Sequence, residues 1–393
     1  MIVLIAWLIA LPLSLSLLYL GTEILFGLRP LRGQPGGAQP TPVRIAILVP
    51  AHNEAAGIAA TVLALESAAP GAETLVVADN CTDETAALAA QAGAKVAERS
   101  DPDRRGKGYA LAFGRDALSH DPPAAVIIVD ADCRLGDGSA SRLAAQAIAS
   151  GRPVQSANLL VSAEKPAPLV AVSNFAMLIK NLVRARGLLR LGGGAMLFGT
   201  GMAFSWPLFA RLPLATGDVV EDLSLGLWLA KKGIKVGMDD EALVTSAPAS
   251  LESSRAQRSR WEHGFLRTAA KQGLPLFLRG LAKASRNLMT LGAHLMVPPL
   301  ALLMLLSSIA IAALVVIAAI SETWVPAIFA GTAFAYACTL LTVAWWRYGR
   351  AMLPFAALLR VPLYIVWKIP IYLGLFTRSQ THWNRTKREG EQR

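Results

Sequence analysis

The chain opens on an apolar run, MIVLIAWLIALPLSLSLLYLGTEILFGL over residues 1–28, interrupted only by Glu23. That run is long enough to cross a hydrocarbon core of about 30 Å. It lacks a basic leader, exceeds the usual apolar core of a cleaved signal, and is followed by Arg29 and Arg32. It therefore predicts a retained transmembrane helix. Residues 29–42, rich in Pro and Gly and without apolar period, predict a linker. From residue 43 the pattern changes to short apolar runs separated by helical periodicity. Strands are predicted over 44–49 (RIAILV), 73–78 (ETLVVA), 95–97 and 124–129 (AAVIIV), with helices over 53–67, 84–92 and 107–118. Apolar strands alternating with helices imply a largely parallel sheet covered on both faces, hence an α/β domain over 43–250.

Beyond that domain, 251–288 is strongly basic and amphipathic, predicting helices lying at an interface. Two more spans are predicted within 289–345, over 289–320 and 324–345, joined by Ser321-Glu322-Thr323 without Lys or Arg. Lys283 and Arg286 precede the pair, and Arg347 and Arg350 follow it. The excess of positive charge places 30–288 and the loop 346–350 on the cytoplasmic side and the N-terminus outside. In 346–393 the apolar stretch 351–376 carries Pro354, Pro362 and Pro370 with Arg360 and Lys368. A span there would carry the basic tail (Arg378, Arg385, Lys387, Arg388) outside, so an in-plane or re-entrant helix is expected in preference to a further span.

Composition agrees with that division. At 393 residues, with 54% hydrophobic and 17% charged, the chain is too apolar for an ordinary soluble enzyme. The formal net charge of +11 is not interleaved with aromatics in the manner of a nucleic-acid platform, so nucleic acid is not expected as a partner. The basic residues gather instead around 255–286, where anionic lipid headgroups attract Lys and Arg by about 1 kcal/mol each. Cys81, Cys133 and Cys338 are too few and scattered for a disulfide frame or a zinc site, consistent with a reducing cytoplasmic face.

The candidate chemistry lies at the carboxyl ends of the strands, where open α/β sheets bind ligands. The first strand runs into Pro50-Ala51-His52-Asn53-Glu54, the second into Asp79-Asn80-Cys81-Thr82-Asp83, and the last into Asp130-Ala131-Asp132. Asn53 and Asp83 also suit helix caps. Asp130 and Asp132 suit a hard divalent cation, Mg²⁺ or Mn²⁺, which would neutralise a departing diphosphate. Lys107, opening a helix after Arg104-Arg105, suits a phosphate. No Walker-type loop is present, which removes support for an ATPase. Glu221-Asp222 offers a carboxylate able to take a proton from an attacking hydroxyl, although either residue also suits a cap of the amphipathic stretch 223–232. Gln257-Arg258-Ser259-Arg260-Trp261 offers a group to bind a phosphate or a sugar.

In this order ILVPAHNEA, VVADNCTDET, RRGKGYAL, VDADC, FGTGMAFS, VVEDLSLGLWLAKKG and QRSRW resemble the motifs of membrane-embedded family-2 glycosyltransferases. That group includes cellulose, hyaluronan and chitin-oligosaccharide synthases and, more distantly, ceramide glucosyltransferase. The resemblance covers about 44–270 and the flanking spans. It implies a GT-A fold, Rossmann-like with a mainly parallel mixed sheet, and inverting transfer of a sugar from a nucleotide donor, usually a UDP-sugar. Carried over by residue, Pro50, His52, Asn53, Glu54, Asp79, Asp83 and Lys107 would line the nucleotide pocket, and Asp130 and Asp132 would hold donor and metal. Asp222 matches the general base, although Val220 stands where the motif has Thr. Gln257, Arg260 and Trp261 match QxxRW, with Trp under the acceptor sugar and Arg at the diphosphate. Gly199, Thr200 and Gly201 would border the acceptor entrance, and His263 reads as a helix-surface residue. The acceptor expected is a growing exopolysaccharide or oligosaccharide, with a lipid-linked acceptor as the alternative. A non-catalytic sugar-nucleotide-binding scaffold is the alternative of another class. The location expected is a bacterial inner membrane, with the catalytic domain cytoplasmic.

Overall fold

The computed structural model describes residues 2–31, 43–161, 166–247 and 251–377. Side chains are described throughout those ranges except at 251–257, 376 and 377. Gln257 falls in that gap, and the tail residues Arg378, Arg385, Lys387 and Arg388 lie outside the described residues. The described residues divide into two compact units interleaved in sequence, a helical unit (2–29, 166–193 and 262–377) and a sheet unit (30–31, 43–161, 194–247 and 251–261).

In chain order, helix α1 (Ile2–Gly27) precedes the sheet unit, which begins with β1 (Ile45–Ala51), α2 (Ile58–Ala68), β2 (Glu73–Asp79), α3 (Thr85–Gln91) and β3 (Lys95–Arg99). It continues through α4 (Lys107–Leu118), β4 (Ala125–Ile128), β5 (Cys133–Leu135), α5 (Ser139–Ser150) and β6 (Val154–Leu160). Helix α6 (Pro168–Leu178), a π-helical turn (Ile179–Arg184) and α7 (Ala185–Arg190) belong to the helical unit. The chain returns to the sheet unit as β7 (Met202–Ser205), α8 (Trp206–Phe209), α9 (Glu221–Lys231) and β8 (Gly237–Ser246). It ends in α10 (Leu251–Ala282), α11 (Arg286–Met296), α12 (Leu300–Ser321), α13 (Val325–Ala344), a π-helical turn (Trp345–Gly349), α14 (Phe355–Leu358) and α15 (Val361–Thr377).

Among the described residues the sheet has eight strands in the order β3-β2-β1-β4-β7-β6-β8-β5. β1 runs parallel to β2 and β4, and β2 to β3. β7 is antiparallel to β4 and β6, while β6 is parallel to β8 and the edge strand β5 is antiparallel to it. The apolar runs explain the placement: β4 is buried at every residue and most of β1 and β2 is too, as central strands covered on both faces require. Pairing of Leu48 with Ile128 and of Ala51 with Ala78 brings the carboxyl ends of β1, β2 and β4 to one rim.

Two predicted boundaries shift. α2 begins at Ile58, not at residue 53, because Asn53 takes a left-handed backbone (φ 56°) and spends its side chain on the next loop. Asn53 is therefore not a cap. The predicted span 289–320 is two helices, since Pro298-Pro299 cannot continue α11, and the apolar span starts at Leu300.

Within the helical unit, α1, α12 and Val325–Gly349 are long and apolar enough to cross a membrane, the three such helices among the described residues. α15, with 17 residues, is shorter. α1 packs on α12 and α13 through small residues, Ala6 and Ala10 against Leu314, Ala318, Ala327 and Ala330. The segment 166–193, which the apolar pattern assigned to the α/β domain, packs here too. It approaches α1 so closely that a Cβ on Gly187 would lie 1.9 Å from the Glu23 carbonyl oxygen. Glu23, the lone interruption of the first apolar run, is fully buried. Its carboxylate accepts from Arg184 Nε at 2.6 Å and lies 2.5 Å from His294 Nδ1. Lys368, the puzzling cation of the last apolar stretch, is buried and pairs with Glu262. His263 is also buried, not on the helix surface, with Nε2 2.7 Å from the Ile371 carbonyl oxygen.

Truncating one partner of a buried pair strands the other. Glu23→Ala is expected to destabilise the helical unit by about 3–5 kcal/mol. Glu23→Ala with Arg184→Met is expected to recover part of that loss, read as thermal unfolding in detergent.

Candidate active site

Three polar loops leave the rim of the sheet. The loops after β1 and β2 are laced together: Asn53 Oδ1 accepts from Thr82 N at 2.7 Å, and Asp83 Oδ2 accepts from Ala55 N at 3.1 Å. Asp83 Oδ1 also accepts from Thr85 N at 3.1 Å at the start of α3, while Thr85 Oγ1 accepts from Glu54 N at 2.7 Å. His52 Nδ1 lies 2.7 Å from the Asp79 carbonyl oxygen. Asp79 itself is buried and bonded to Arg99, Oδ1 to Nη1 at 2.6 Å, and Arg99 reaches Asp101 at 2.9 Å and stacks over Tyr109. Arg99 is not singled out by the sequence pattern, since it lies two residues beyond the strand predicted over 95–97, and β3 extends to include it.

The acids gather around one lysine. Lys107, first residue of α4, pairs with Asp130 at the end of β4, donates to the Gly199 carbonyl oxygen at 2.8 Å and lies 3.8 Å from Glu221 in the first turn of α9. Asp222 adds a further negative charge to that environment. Its Oδ1 accepts from Leu223 N at 2.7 Å, and its Oδ2 is 3.5 Å from where a Cβ on Gly199 would stand. That approach alone would admit a Cβ; what favours glycine there is a φ of 81°, which L side chains rarely adopt.

Residues 198–201 hold this arrangement in place. Asp130 N donates to Thr200 Oγ1 at 3.1 Å, and Gly201 N donates to the Ile128 carbonyl oxygen at 2.8 Å. The loop is gripped from behind by Gln155, a fully buried side chain of β6: Nε2 donates to the Thr200 carbonyl oxygen at 2.9 Å and Oε1 accepts from Phe198 N at 3.0 Å. Gln155 was missed in the sequence. Its one signal is an amide in the middle of an apolar strand, PVQSANLL, which a buried strand tolerates only when hydrogen-bonded.

Carboxylate oxygens of Asp130 and Asp132 and the thiol sulfur of Cys133 lie within 4.8 Å of one another. The two carboxylates fit a hard divalent cation, whereas the thiol is a soft donor suited to other metals. Asp132 is exposed at the rim, and Cys133 is buried beneath it. Of the QxxRW group, Arg260 is half-buried and Trp261 is 40% exposed, both on α10.

The crowding shifts proton affinities. Burial pulls the Lys107 ammonium down, but Asp130 and then Glu221 outweigh it, and the group is held above the ordinary lysine range. Burial raises Asp130 above the usual carboxylate range, with Lys107 opposing the rise. Burial pushes the Glu221 carboxyl up to about 8, with Lys107 opposing and Asp222 adding to the rise. Between the ordinary glutamate value and about 8, the folded protein holds a proton that the unfolded chain has lost. Its stability therefore falls as pH rises across that window. Thermal midpoints of the metal-free protein measured from pH 5 to 9 are expected to show this decline, flattened in Glu221→Gln.

A family model for glycosyltransferase-like family 2 matches residues 42–264, more than half of the chain. Among solved structures, the mannosyltransferase PcManGT from Pyrobaculum calidifontis, in complex with GDP-Man and Mn²⁺, is similar with a TM-score of 0.51 and 18% identity, covering 87% of this chain and 99% of that one. Glucosyl-3-phosphoglycerate synthase from Mycobacterium tuberculosis, in complex with Mn²⁺, UDP and glucosyl-3-phosphoglycerate, aligns more loosely, with a TM-score of 0.41 and 21% identity over 61% of this chain and 85% of that one. No curated protein matches the chain in sequence. The likeness to the mannosyltransferase is one of fold, the GT-A arrangement of a mixed sheet between helices, and the family match spans the whole acidic rim. By that match the chain belongs to the glycosyltransferase-like family 2.

Proposed function

We propose that the chain is an inverting membrane glycosyltransferase that moves a sugar from a nucleoside-diphosphate donor, a UDP-sugar, to a hydroxyl of a growing exopolysaccharide or oligosaccharide. The observation that carries this reading is the acidic rim: Asp130, Glu221 and Asp222 converge on Lys107 beside the glycine loop, in a chain of family 2. The GDP-Man and Mn²⁺ bound to the similar mannosyltransferase support a nucleotide-sugar donor and a divalent cation.

In this reading the loops of Pro50, His52, Asn53, Glu54, Asp79 and Asp83 receive the nucleotide. Asp130 and Asp132 would hold Mg²⁺ or Mn²⁺. When bound, such a cation neutralises charge developing on the departing diphosphate. Asp222 takes the proton of the acceptor hydroxyl as its oxygen attacks the anomeric carbon in line, and the bond from that carbon to the diphosphate oxygen breaks on the opposite face. One such displacement inverts the anomeric centre. Glu221, raised to about 8 and facing Lys107, serves to hold the lysine and leaves the proton transfer to Asp222. Trp261 offers an exposed ring for the acceptor sugar, and Arg260, one residue before it on α10, would contact the diphosphate. In this reading the sheet unit faces the cytoplasm of a bacterial inner membrane, an orientation that the excess of Lys and Arg on one side of the spans supports.

A single transfer to a lipid-linked acceptor is the second reading, favoured by α10. The helix that carries Trp261 also exposes Leu274, Leu278 and Leu281, about 54%, 52% and 49% accessible and on one face by their spacing. Such a stripe suits a helix lying in a lipid surface, where lipid-borne acceptors reside.

Nucleotide release by the protein in nanodiscs, screened over UDP-sugars and GDP-mannose, tests the donor. Asp222→Asn is expected to lower turnover about 10²–10⁴-fold with donor affinity unchanged; turnover like wild type would remove Asp222 as the base. Sizing of labelled product separates the acceptors: a ladder supports extension, and one lipid-soluble species supports single transfer.

A further inference from the structure

Lys107 does not stand open to a phosphate. Its ammonium is about four-fifths shielded, with 18% of the side chain exposed, and it makes an ion pair with Asp130, one of the two carboxylates suited to the cation. The groups facing it come from three elements. They are Asp130 at the end of β4, Glu221 with Asp222 at the start of α9, and the Gly199 carbonyl oxygen from the loop before β7. Every one of these is an oxygen ligand or a negative charge. This is the donor set that a hard cation seeks, and a positive nitrogen occupies it.

Two cations cannot share the Asp130 carboxylate at contact distance without strong repulsion, because at about 4 Å even a single pair of unit charges interacts by several kcal/mol in a partly buried setting. We propose that Lys107 fills the cation's place at Asp130 until a divalent ion arrives, and that the ion displaces it toward the donor diphosphate, so that metal and donor bind in that order. The inference rests on the reading of Asp130 as a metal ligand given under Proposed function. The displaced side chain stays at the first turn of α4, where its backbone is fixed, so the movement needs only rotation about the four-carbon stem. Release of the lysine by the metal makes the two binding events cooperative, and the same linkage makes the lysine a competitor of the metal when no nucleotide is present.

This assigns Lys107→Gln opposite effects on two ligands, which a merely structural lysine would not have. Calorimetric titration of Mn²⁺ into the full-length protein in nanodiscs, without nucleotide, is expected to show affinity about fivefold or more tighter in K107Q than in wild type. UDP titrated in saturating Mn²⁺ is expected to bind more weakly to K107Q than to wild type. D130N is expected to lose the Mn²⁺ site in either background. Mn²⁺ affinity in K107Q that is equal to or weaker than wild type would overturn the displacement and leave the metal reading intact. Wild type whose Mn²⁺ uptake is indifferent to D130N would overturn the metal reading itself. Should K107Q fail to fold, amine labelling of wild type read by mass spectrometry decides the matter. Lys107 modification is expected to rise on adding Mn²⁺ and fall on then adding UDP, and a rate unchanged by Mn²⁺ would overturn the inference.

Discussion

The contact between Lys107 and the acids is the constraint on which the candidate site depends. β4 delivers Asp130, α9 delivers Glu221 and Asp222, and residues 198–201 deliver a backbone oxygen, and these arrive from positions far apart in the chain. Without a cation among them, three carboxylates at a partly buried rim would repel one another. A buried pair of this sort contributes little net stability once desolvation is counted. Its value is geometric, since it ties together three segments distant in the chain. Gln155 has the same role from the opposite side, holding residues 198–201 by its amide so that the Gly199 carbonyl oxygen meets the ammonium.

Much of this was legible in the residues. The apolar strands of the first half and the polar residues at their carboxyl ends came from period and punctuation alone, and α4 begins and ends where its pattern says, Lys107 to Leu118. The acids at 130, 221 and 222, far apart in the chain, come together around Lys107. What escaped reading was set by contacts between residues distant in sequence. Asn53 looks like a cap because Asn caps helices, but its bonds go to Thr82 in the following loop, so the helix waits until Ile58. Residues 168–190 carry the apolar density of any buried helix, and nothing local says which core they enter. His263 and Lys368 look misplaced until Ile371 and Glu262 are seen beside them.

The interleaving of the two units has a chemical reading. After β6 the chain leaves the sheet unit, contributes α6, the π-helical turn and α7 to the helical unit, and returns as β7 with the glycine loop directly ahead of it. The π turn ends at Arg184, the partner of Glu23. Such turns are rare and are found frequently at functional sites. Here the turn ends at a cation buried in the helical unit and paired with Glu23.

The position of Glu23 near the start of the chain carries a consequence for how the protein is made. In synthesis Glu23 emerges before both of its partners: Arg184 follows it by 161 residues and His294 by 271. For a span inserted as it emerges, a carboxyl side chain therefore waits through most of synthesis without the groups that will satisfy it. Insertion scales put an acidic residue in mid-membrane at about 2.5–3.5 kcal/mol, less toward a helix end, where Glu23 sits. In a membrane, the long apolar stretch upstream of it would offset that cost. The cluster of Glu23, Arg184 and His294 can therefore close only once α11 has been made, so this tie joins distant parts of the helical unit late in synthesis.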